Sequence, residues 1–232
     1  MIVQIYETQS AEEASNLVAA GVDHVGVLVG KGEYPREFSA EQAREMLKSV
    51  RQPAKRLALS LSHHLRDISA IVDKINPDIL HLGAVPESLL PQDLRKLKQR
   101  FPHLPIMRSI PVIGRRSVVL AKEYDGVADY LLLDTQKPGE TQVGATGEIH
   151  DWDVSRQIVE TVRIPVVLAG GIGPDNVEQA ILRVNPFGVD SKTKTDKAGS
   201  HEKDIKKVKR FVGIAKGVET GCQPLLALNG KT

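Results

Sequence analysis

The sequence predicts an α/β protein that folds as a single (β/α)8 barrel. Eight short runs of apolar and β-branched residues each precede a segment with helical spacing, at roughly even intervals along the 232-residue chain. Strands that alternate with helices pair in parallel through right-handed crossovers, and eight such units close a barrel. No G-x-G-x-x-G motif follows the first run, which argues against the rival open, doubly wound sheet.

The element boundaries follow from the apolar runs and from capping signals. The predicted strands cover 2–6, 24–29, 56–61, 79–82, 106–110, 130–134, 164–169 and 187–190, and the helices cover about 11–20, 40–50, 65–75, 91–100, 116–124, 151–162, 174–184 and 202–216. Ser10 and Ser39 are predicted N-caps, each followed three residues later by Glu or Gln, as in a capping box. We therefore expect a barrel over 1–217 and a polar C-terminal tail over 218–232.

The composition excludes several classes of protein. The net charge is +2, with no concentrated basic patch, so nucleic acid is not expected as a partner. The single cysteine, Cys222, allows neither a disulfide framework nor a thiolate cluster. No apolar run approaches the roughly 18 residues of a membrane span, and the first residues lack the basic region of a secretion signal. These features predict a cytoplasmic protein without a membrane or nucleic-acid partner.

Functional side chains of a (β/α)8 barrel lie at the carboxyl ends of its strands. The run 130–134 is apolar and ends in Asp134, which is the strongest candidate. The other candidates at such ends are Tyr6, Glu7, Arg36, His63, His64, His81, Arg108 and Asp190. The three histidines could form a metal site, but no carboxylate spacing supports one, so we predict neither a metal nor another cofactor.

Small residues after the last two strands predict a phosphate site. Such residues bind phosphate through backbone N–H groups and a helix N-terminus. The residues predicted to bind the phosphate of a small metabolite are Gly147, Gly170, Gly171, Ser191, Lys192 and Thr193. A solvated loop is the alternative interpretation for the lysine.

Five segments resemble one family's motifs in the same order. They are PREFSAEQA at 35–43, LLLD at 131–134, GATG at 144–147 followed by DW at 151–152, VLAGGIGPDNV at 167–177 and PFGVD at 186–190. Together they resemble the N-(5′-phosphoribosyl)anthranilate isomerases of tryptophan biosynthesis, over residues 1 to about 214. The resemblance implies an Amadori rearrangement of an aminoaldose phosphate to an aminoketose phosphate. It also implies that Asp134 is the general acid and that Arg36 contacts the anthranilate part.

The chain departs from the family where the general base should lie. The family begins K-x-C-G and uses its cysteine as the base, whereas this chain has Gln4, Tyr6 and Glu7 at the lysine, cysteine and glycine positions. Cys222 is too distant along the chain to replace that cysteine. The segments 81–84 and 189–196 also differ from the family pattern.

Three residues remain as candidate bases. The alternation of the strand predicts that Tyr6 faces the barrel interior. A phenol pKa of about 10 makes it a poor base, so a ring packed at the barrel mouth is the favoured interpretation. The carboxyl pKa of Glu7 suits a general base better. Its position in the alternation of the strand predicts a side chain that faces away from the barrel interior, unless the strand has already ended. His81 is two residues after Ile79 in the same strand and is therefore expected to face inward with it. Its intrinsic pKa is the most suitable of the three for a general base. Activity on phosphoribosylanthranilate is expected to be weak or absent unless Glu7 or His81 is the base.

Three functions stay open at this point. The first is the family isomerase with a substituted base. The second is a related barrel enzyme acting on another phosphorylated sugar or phosphate ester, and the third is a non-catalytic protein that binds a phosphorylated metabolite. In each case Arg36, Glu7, Arg108 and Asp190 are predicted ligand contacts, and the protein is predicted to be a monomer or homodimer. For the two enzymes, the catalytic candidates are Asp134, Tyr6 and His81.

Overall fold

The structure is a computed structural model that describes residues 1–137, 139, 141–144 and 147–218. Its strands are β1 (Ile2–Ile5), β2 (His24–Leu28), β3 (Lys55–Ser60), β4 (Ile79–Leu82), β5 (Ile106–Pro111), β6 (Tyr130–Asp134), β7 (Val166–Leu168) and β8 (Gly188–Ser191). They pair in parallel in sequence order, and β8 returns to β1 with Gly188 opposite Ile2. The predicted closed (β/α)8 barrel, a TIM barrel, is therefore confirmed.

A helix follows every strand. The helices are α1 (Ala11–Ala19), α2 (Ala40–Leu47), α3 (Leu65–Ile75), α4 (Pro91–Arg100), α5 (Arg116–Tyr124), α6 (Trp152–Thr161), α7 (Val177–Val184) and α8 (Ile205–Gly217). Short 3₁₀ turns lie at Pro86–Ser88 and Thr193–Thr195. Residues 219–232 of the predicted tail, which include Cys222, lie outside the described residues.

Local capping explains where several helices begin and end. The Ser10 hydroxyl accepts a hydrogen bond from the Glu13 N–H at 3.1 Å, and Ser39 forms a complete capping box with Gln42. Asn76 and Asn185 end α3 and α7 in the left-handed conformation, which asparagine tolerates better than most residues. These signals are local, which is why the sequence located them well.

Apolar side chains form one layer outside the barrel strands and one layer inside them. Side chains on the outer face pack against the helices, and those on the inner face fill the barrel. The inner layer consists of Tyr6, Leu57, Ile79, Met107, Leu132, Val167 and Ala169. Among the described residues, no helix has the length and apolarity that a membrane crossing requires.

Candidate active site

Most of the predicted site residues meet in two adjoining cavities at the carboxyl ends of the strands. The larger cavity, about 90 Å³, is lined by Tyr6, Glu7, Arg36, His81, Asp134, Asp190 and Lys192, among others. The smaller one, about 30 Å³, is lined by Gly147, Gly170, Gly171, Ser191, Lys192 and Thr193 together with Asp134 and Asp190. The residues predicted for catalysis and for phosphate therefore lie next to each other, with both aspartates shared.

Asp134 ends β6 with its carboxyl group enclosed. Burial raises its pKa to about 6, although the Thr135 N–H and hydroxyl donate hydrogen bonds to Oδ1 and oppose that rise. A Cβ on Gly144 would lie 2.3 Å from Asp134 Oδ2. Because Gly144 has no side chain and adopts φ +101°, the β6–α6 loop closes directly over the carboxyl group.

Asp190 in β8 is a second buried carboxyl group. Burial and the charge of Asp134 together raise its pKa to about 8, against the opposing effect of a hydrogen bond from Gln4 Nε2 at 3.1 Å. Two carboxyls that share a site titrate as a pair. At neutral pH this pair therefore holds a proton, which the site can donate.

Tyr6 and His81 form a buried hydrogen-bonded pair. The Tyr6 hydroxyl lies 2.7 Å from His81 Nδ1, and Ser109 Oγ lies 2.7 Å from His81 Nε2. Burial raises the phenol pKa well above 10, with the charge of Asp190 adding to it. Burial also lowers the His81 pKa to about 3, with Arg108 adding to that effect. Neither side chain therefore accepts a proton readily near neutral pH.

Glu7 lies beyond the end of β1, which stops at Ile5 rather than at Tyr6. Strand parity therefore does not apply to Glu7, and its side chain lines the larger cavity. Arg36 Nε donates a hydrogen bond to Glu7 Oε2, and Lys192 Nζ lies 3.5 Å from the same oxygen. Burial alone raises the Glu7 pKa, but the Arg36 hydrogen bond and the nearby cations together hold it below its usual value. Glu7 is therefore an ionised carboxylate inside the cavity.

The β8–α8 loop adds three residues that the sequence did not reveal. Lys203 is buried and pairs with Asp196, whose other oxygen lies 3.5 Å from Lys192 Nζ. The ring nitrogens of His201 lie 3.4 Å from Arg36 Nη1 and 3.2 Å from Lys192 Nζ. No motif marks these contacts, because they depend on how the loop folds back across the barrel mouth.

His150 is another residue that the sequence did not single out. Its Nε2 lies 2.8 Å from Ser155 Oγ, while its buried Nδ1 has no hydrogen-bond partner within the described part of the chain. A Cβ on Gly170 would lie 2.5 Å from His150 Nδ1 and 3.4 Å from Asp134 Oδ1. Gly170 therefore allows the imidazole and the carboxyl group to approach each other.

Arg108 does not lie in the site. Its neighbours on β5, Met107 and Ser109, face the barrel interior, so Arg108 faces outward. Its Nη1 donates hydrogen bonds to the carbonyls of Leu82 and Ala84, and its guanidinium lies over the Tyr124 ring. Its predicted contact with the ligand does not fit this position, because alternate residues of a strand face opposite sides.

His63 and His64 also lie away from the larger cavity. They line a separate groove on the α2 and α3 side of the barrel mouth. Within the described ranges, no group of three or more His, Cys, Asp or Glu side chains is placed to hold a metal ion.

The fold defines a (β/α)8-barrel protein, and the candidate site lies at the C-terminal mouth of the barrel, where proteins of this fold bind their ligands. Residues 3–213 match the family model described as N-(5′-phosphoribosyl)anthranilate (PRA) isomerase. The chain belongs to this family.

Individual relatives resemble the chain over nearly its full length. The PRA isomerase of Methanocella arvoryzae is 35% identical over 213 residues, covering 90% of this chain and 95% of the relative. The crystal structure of the Thermotoga maritima PRA isomerase has a TM-score of 0.78 and 27% identity, covering 94% of this chain and 100% of that one. A PRA isomerase bound to reduced 1-(o-carboxyphenylamino)-1-deoxyribulose 5-phosphate has a TM-score of 0.76 and 25% identity, with the same coverage.

Proposed function

We propose that this protein catalyses the reaction of its family, the rearrangement of phosphoribosylanthranilate to the corresponding aminoketose phosphate. The observation that supports this most is a buried carboxyl group and an ionised carboxylate in one cavity. Asp134 has its pKa raised to about 6, whereas the pKa of Glu7 is lowered. Two carboxyl groups are suited to acid and base roles when their environments raise the pKa of one and lower the pKa of the other.

Asp134 is the proposed general acid. It gives its proton to the ring oxygen of the sugar while the bond from that oxygen to C1′ breaks and the nitrogen forms a Schiff base with C1′. Its enclosure beneath the β6–α6 loop at Gly144 favours the protonated form, since burial disfavours the charged form.

Glu7 is the proposed general base. It accepts the C2′ proton, which leaves an enolamine. The enolamine becomes the ketone when C1′ takes a proton from Glu7 and the C2′ hydroxyl returns its proton to Asp134. The hydrogen atoms move only within the substrate and the two carboxyl groups, so the reaction as written needs no oxidant or reductant. Glu7 is favoured over Tyr6 and His81 because burial keeps both of those side chains in their neutral forms.

The phosphate of the substrate is proposed to bind in the smaller cavity. Gly170, Gly171, Thr193 and Lys192 line this cavity. Exposed backbone N–H groups and a nearby cation favour the binding of a dianion such as a phosphate group. Arg36 is proposed to bind the anthranilate carboxylate at the other end of the site. We further propose that the protein acts in the cytoplasm, as a monomer or homodimer.

Complementation of a tryptophan auxotroph that lacks this isomerase tests the proposed function. The wild-type gene is expected to restore growth, while Asp134→Asn and Glu7→Gln are expected not to. Asp73→Asn and Glu45→Gln make the same chemical changes at exposed surface ion pairs and serve as matched controls. Failure of the expressed, folded wild-type protein to restore growth would contradict the proposal.

A further inference from the structure

The cavity already contains a carboxylate where the ligand's carboxylate is proposed to bind. Arg36 Nε donates its hydrogen bond to Glu7 Oε2, and Glu7 is also 3.5 Å from Lys192 Nζ. The Glu7 side chain is only 8% exposed, so water does little to screen this pair. The two cations that line the cavity in the described part of the chain, Arg36 and Lys192, thus both face Glu7.

The backbone holds both members of this ion pair in an uncommon conformation. Glu7 has φ +57° and Arg36 has φ +67°, in the left-handed region that is unfavourable for a residue with a side chain. Such conformations persist where the surrounding structure imposes them, and they cluster at ligand sites. The two loops therefore position the pair, which is not a chance meeting of two flexible side chains.

We propose that Glu7 is an internal counter-ion that occupies Arg36 until the carboxylate of the ligand displaces it. This inference rests on the proposed function, because it takes the ligand of Arg36 to be an aryl carboxylate. Bidentate pairing through Nε requires that Glu7 release this nitrogen. Glu7 therefore determines specificity: it lowers the affinity gained from the ligand's carboxylate, because it holds Arg36 by a direct hydrogen bond. It affects binding of the sugar phosphate less, because it acts there only through Lys192 at 3.5 Å.

Displacement also prepares Glu7 for its proposed role as the base. The hydrogen bond from Arg36 favours the ionised form of Glu7 and so makes it a weaker proton acceptor. When the ligand takes Arg36, burial continues to act on Glu7 while that hydrogen bond is lost. The basicity of Glu7 then rises, and it does so only in the complex with a carboxylate-bearing substrate.

Calorimetric binding of two unreactive probes tests this inference without relying on turnover. One probe is reduced 1-(o-carboxyphenylamino)-1-deoxyribulose 5-phosphate, and the other is the same compound without its carboxyl group. Glu7→Gln removes the competing charge but keeps the side-chain volume. Glu33→Gln, an exposed change in the loop that holds Arg36, is the matched control.

Glu7→Gln is expected to raise affinity for the carboxylated probe about tenfold, since a charge-assisted hydrogen bond is worth about 1.5–3 kcal/mol. The gain for the other probe, whose phosphate competes with Glu7 only through Lys192, is expected to be several times smaller, and Glu33→Gln is expected to change neither affinity. Equal gains for both probes, no gain, or a loss for the carboxylated probe would overturn the inference. If the wild type still converts phosphoribosylanthranilate, such a result leaves the proposed function standing. Absence of binding by either probe to every variant would overturn both.

Discussion

The aromatic ring of Tyr6 fills the space that Gly26 leaves free on the neighbouring strand. A Cβ on Gly26 would lie 2.1 Å from Tyr6 Cε1, closer than any contact that real Cβ atoms make. Gly26→Ala is therefore expected to destabilise the wild type by about 1–3 kcal/mol through overpacking. In a Tyr6→Cys background the ring is gone, and the same change is expected to cost much less. Urea unfolding of the four proteins gives the double-mutant cycle.

Gly213→Ala is the matched control for this cycle. Gly213 lies in α8, and a Cβ there meets nothing within 4 Å. Its replacement by alanine is expected to stabilise both backgrounds equally, by about 0.5–1 kcal/mol. An equal cost of Gly26→Ala with and without the Tyr6 ring would show that the ring does not fill this space.

The buried carboxyl group of Asp134 is expected to make stability depend on pH. Its pKa is raised to about 6 in the folded state, against about 3.9 when unfolded. Between these values the unfolded chain loses its proton first, so wild-type stability falls as pH rises from about 4 to 6. Asp134→Asn lacks this titration, and it is expected to be more stable than the wild type by about 3 kcal/mol at pH 7.

Urea unfolding at pH 3.5, 5 and 7 measures this difference, which is expected to disappear at the lowest pH. Asp153→Asn is the control, because its carboxylate is exposed and the Arg183 hydrogen bond lowers its pKa. Its effect on stability is therefore expected to be small and opposite in sign. A difference between wild type and Asp134→Asn that stays constant with pH would contradict the raised pKa.

Gly171 is expected to control the proposed phosphate site. A Cβ there would lie 2.9 Å from the Glu148 carbonyl group and 3.0 Å from the Gly147 carbonyl oxygen, and Gly171 has φ +65°. Gly171→Ala is therefore expected to push the β6–α6 loop away from the smaller cavity. Inorganic phosphate binding, followed by calorimetry, is expected to weaken about tenfold, the loss of roughly one good hydrogen bond. Unchanged phosphate affinity would place the site elsewhere, and Gly213→Ala again serves as the control.

Periodicity made the barrel and much of its mouth predictable. Asp134 ends an apolar run, and His81 faces inward with Ile79, so counting along the strands located both side chains in the cavity. The same counting should have excluded Arg108, which alternates with the inward-facing Met107 and Ser109. Its charge and its place near a strand end favoured a functional role that its parity does not support.

Loop conformation was not predictable in the same way. Nothing in the sequence around Glu7 marks the end of β1 at Ile5 or a positive φ, because glutamate rarely adopts that conformation. The contacts of Asp196 with Lys192 and Lys203 join residues of one irregular loop. They follow from the path of the backbone across the barrel mouth and leave no periodic signal.

Steady-state conversion of phosphoribosylanthranilate tests the assignment of Asp134 and Glu7 most directly. Measurable wild-type turnover is expected to fall by about 10²- to 10⁴-fold in both Asp134→Asn and Glu7→Gln, the usual contribution of general acid–base catalysis. Glu45→Gln is expected to match the wild type. Wild-type turnover that survives Glu7→Gln but is lost in Tyr6→Phe or His81→Asn would contradict the assignment and make the buried Tyr6–His81 pair the base.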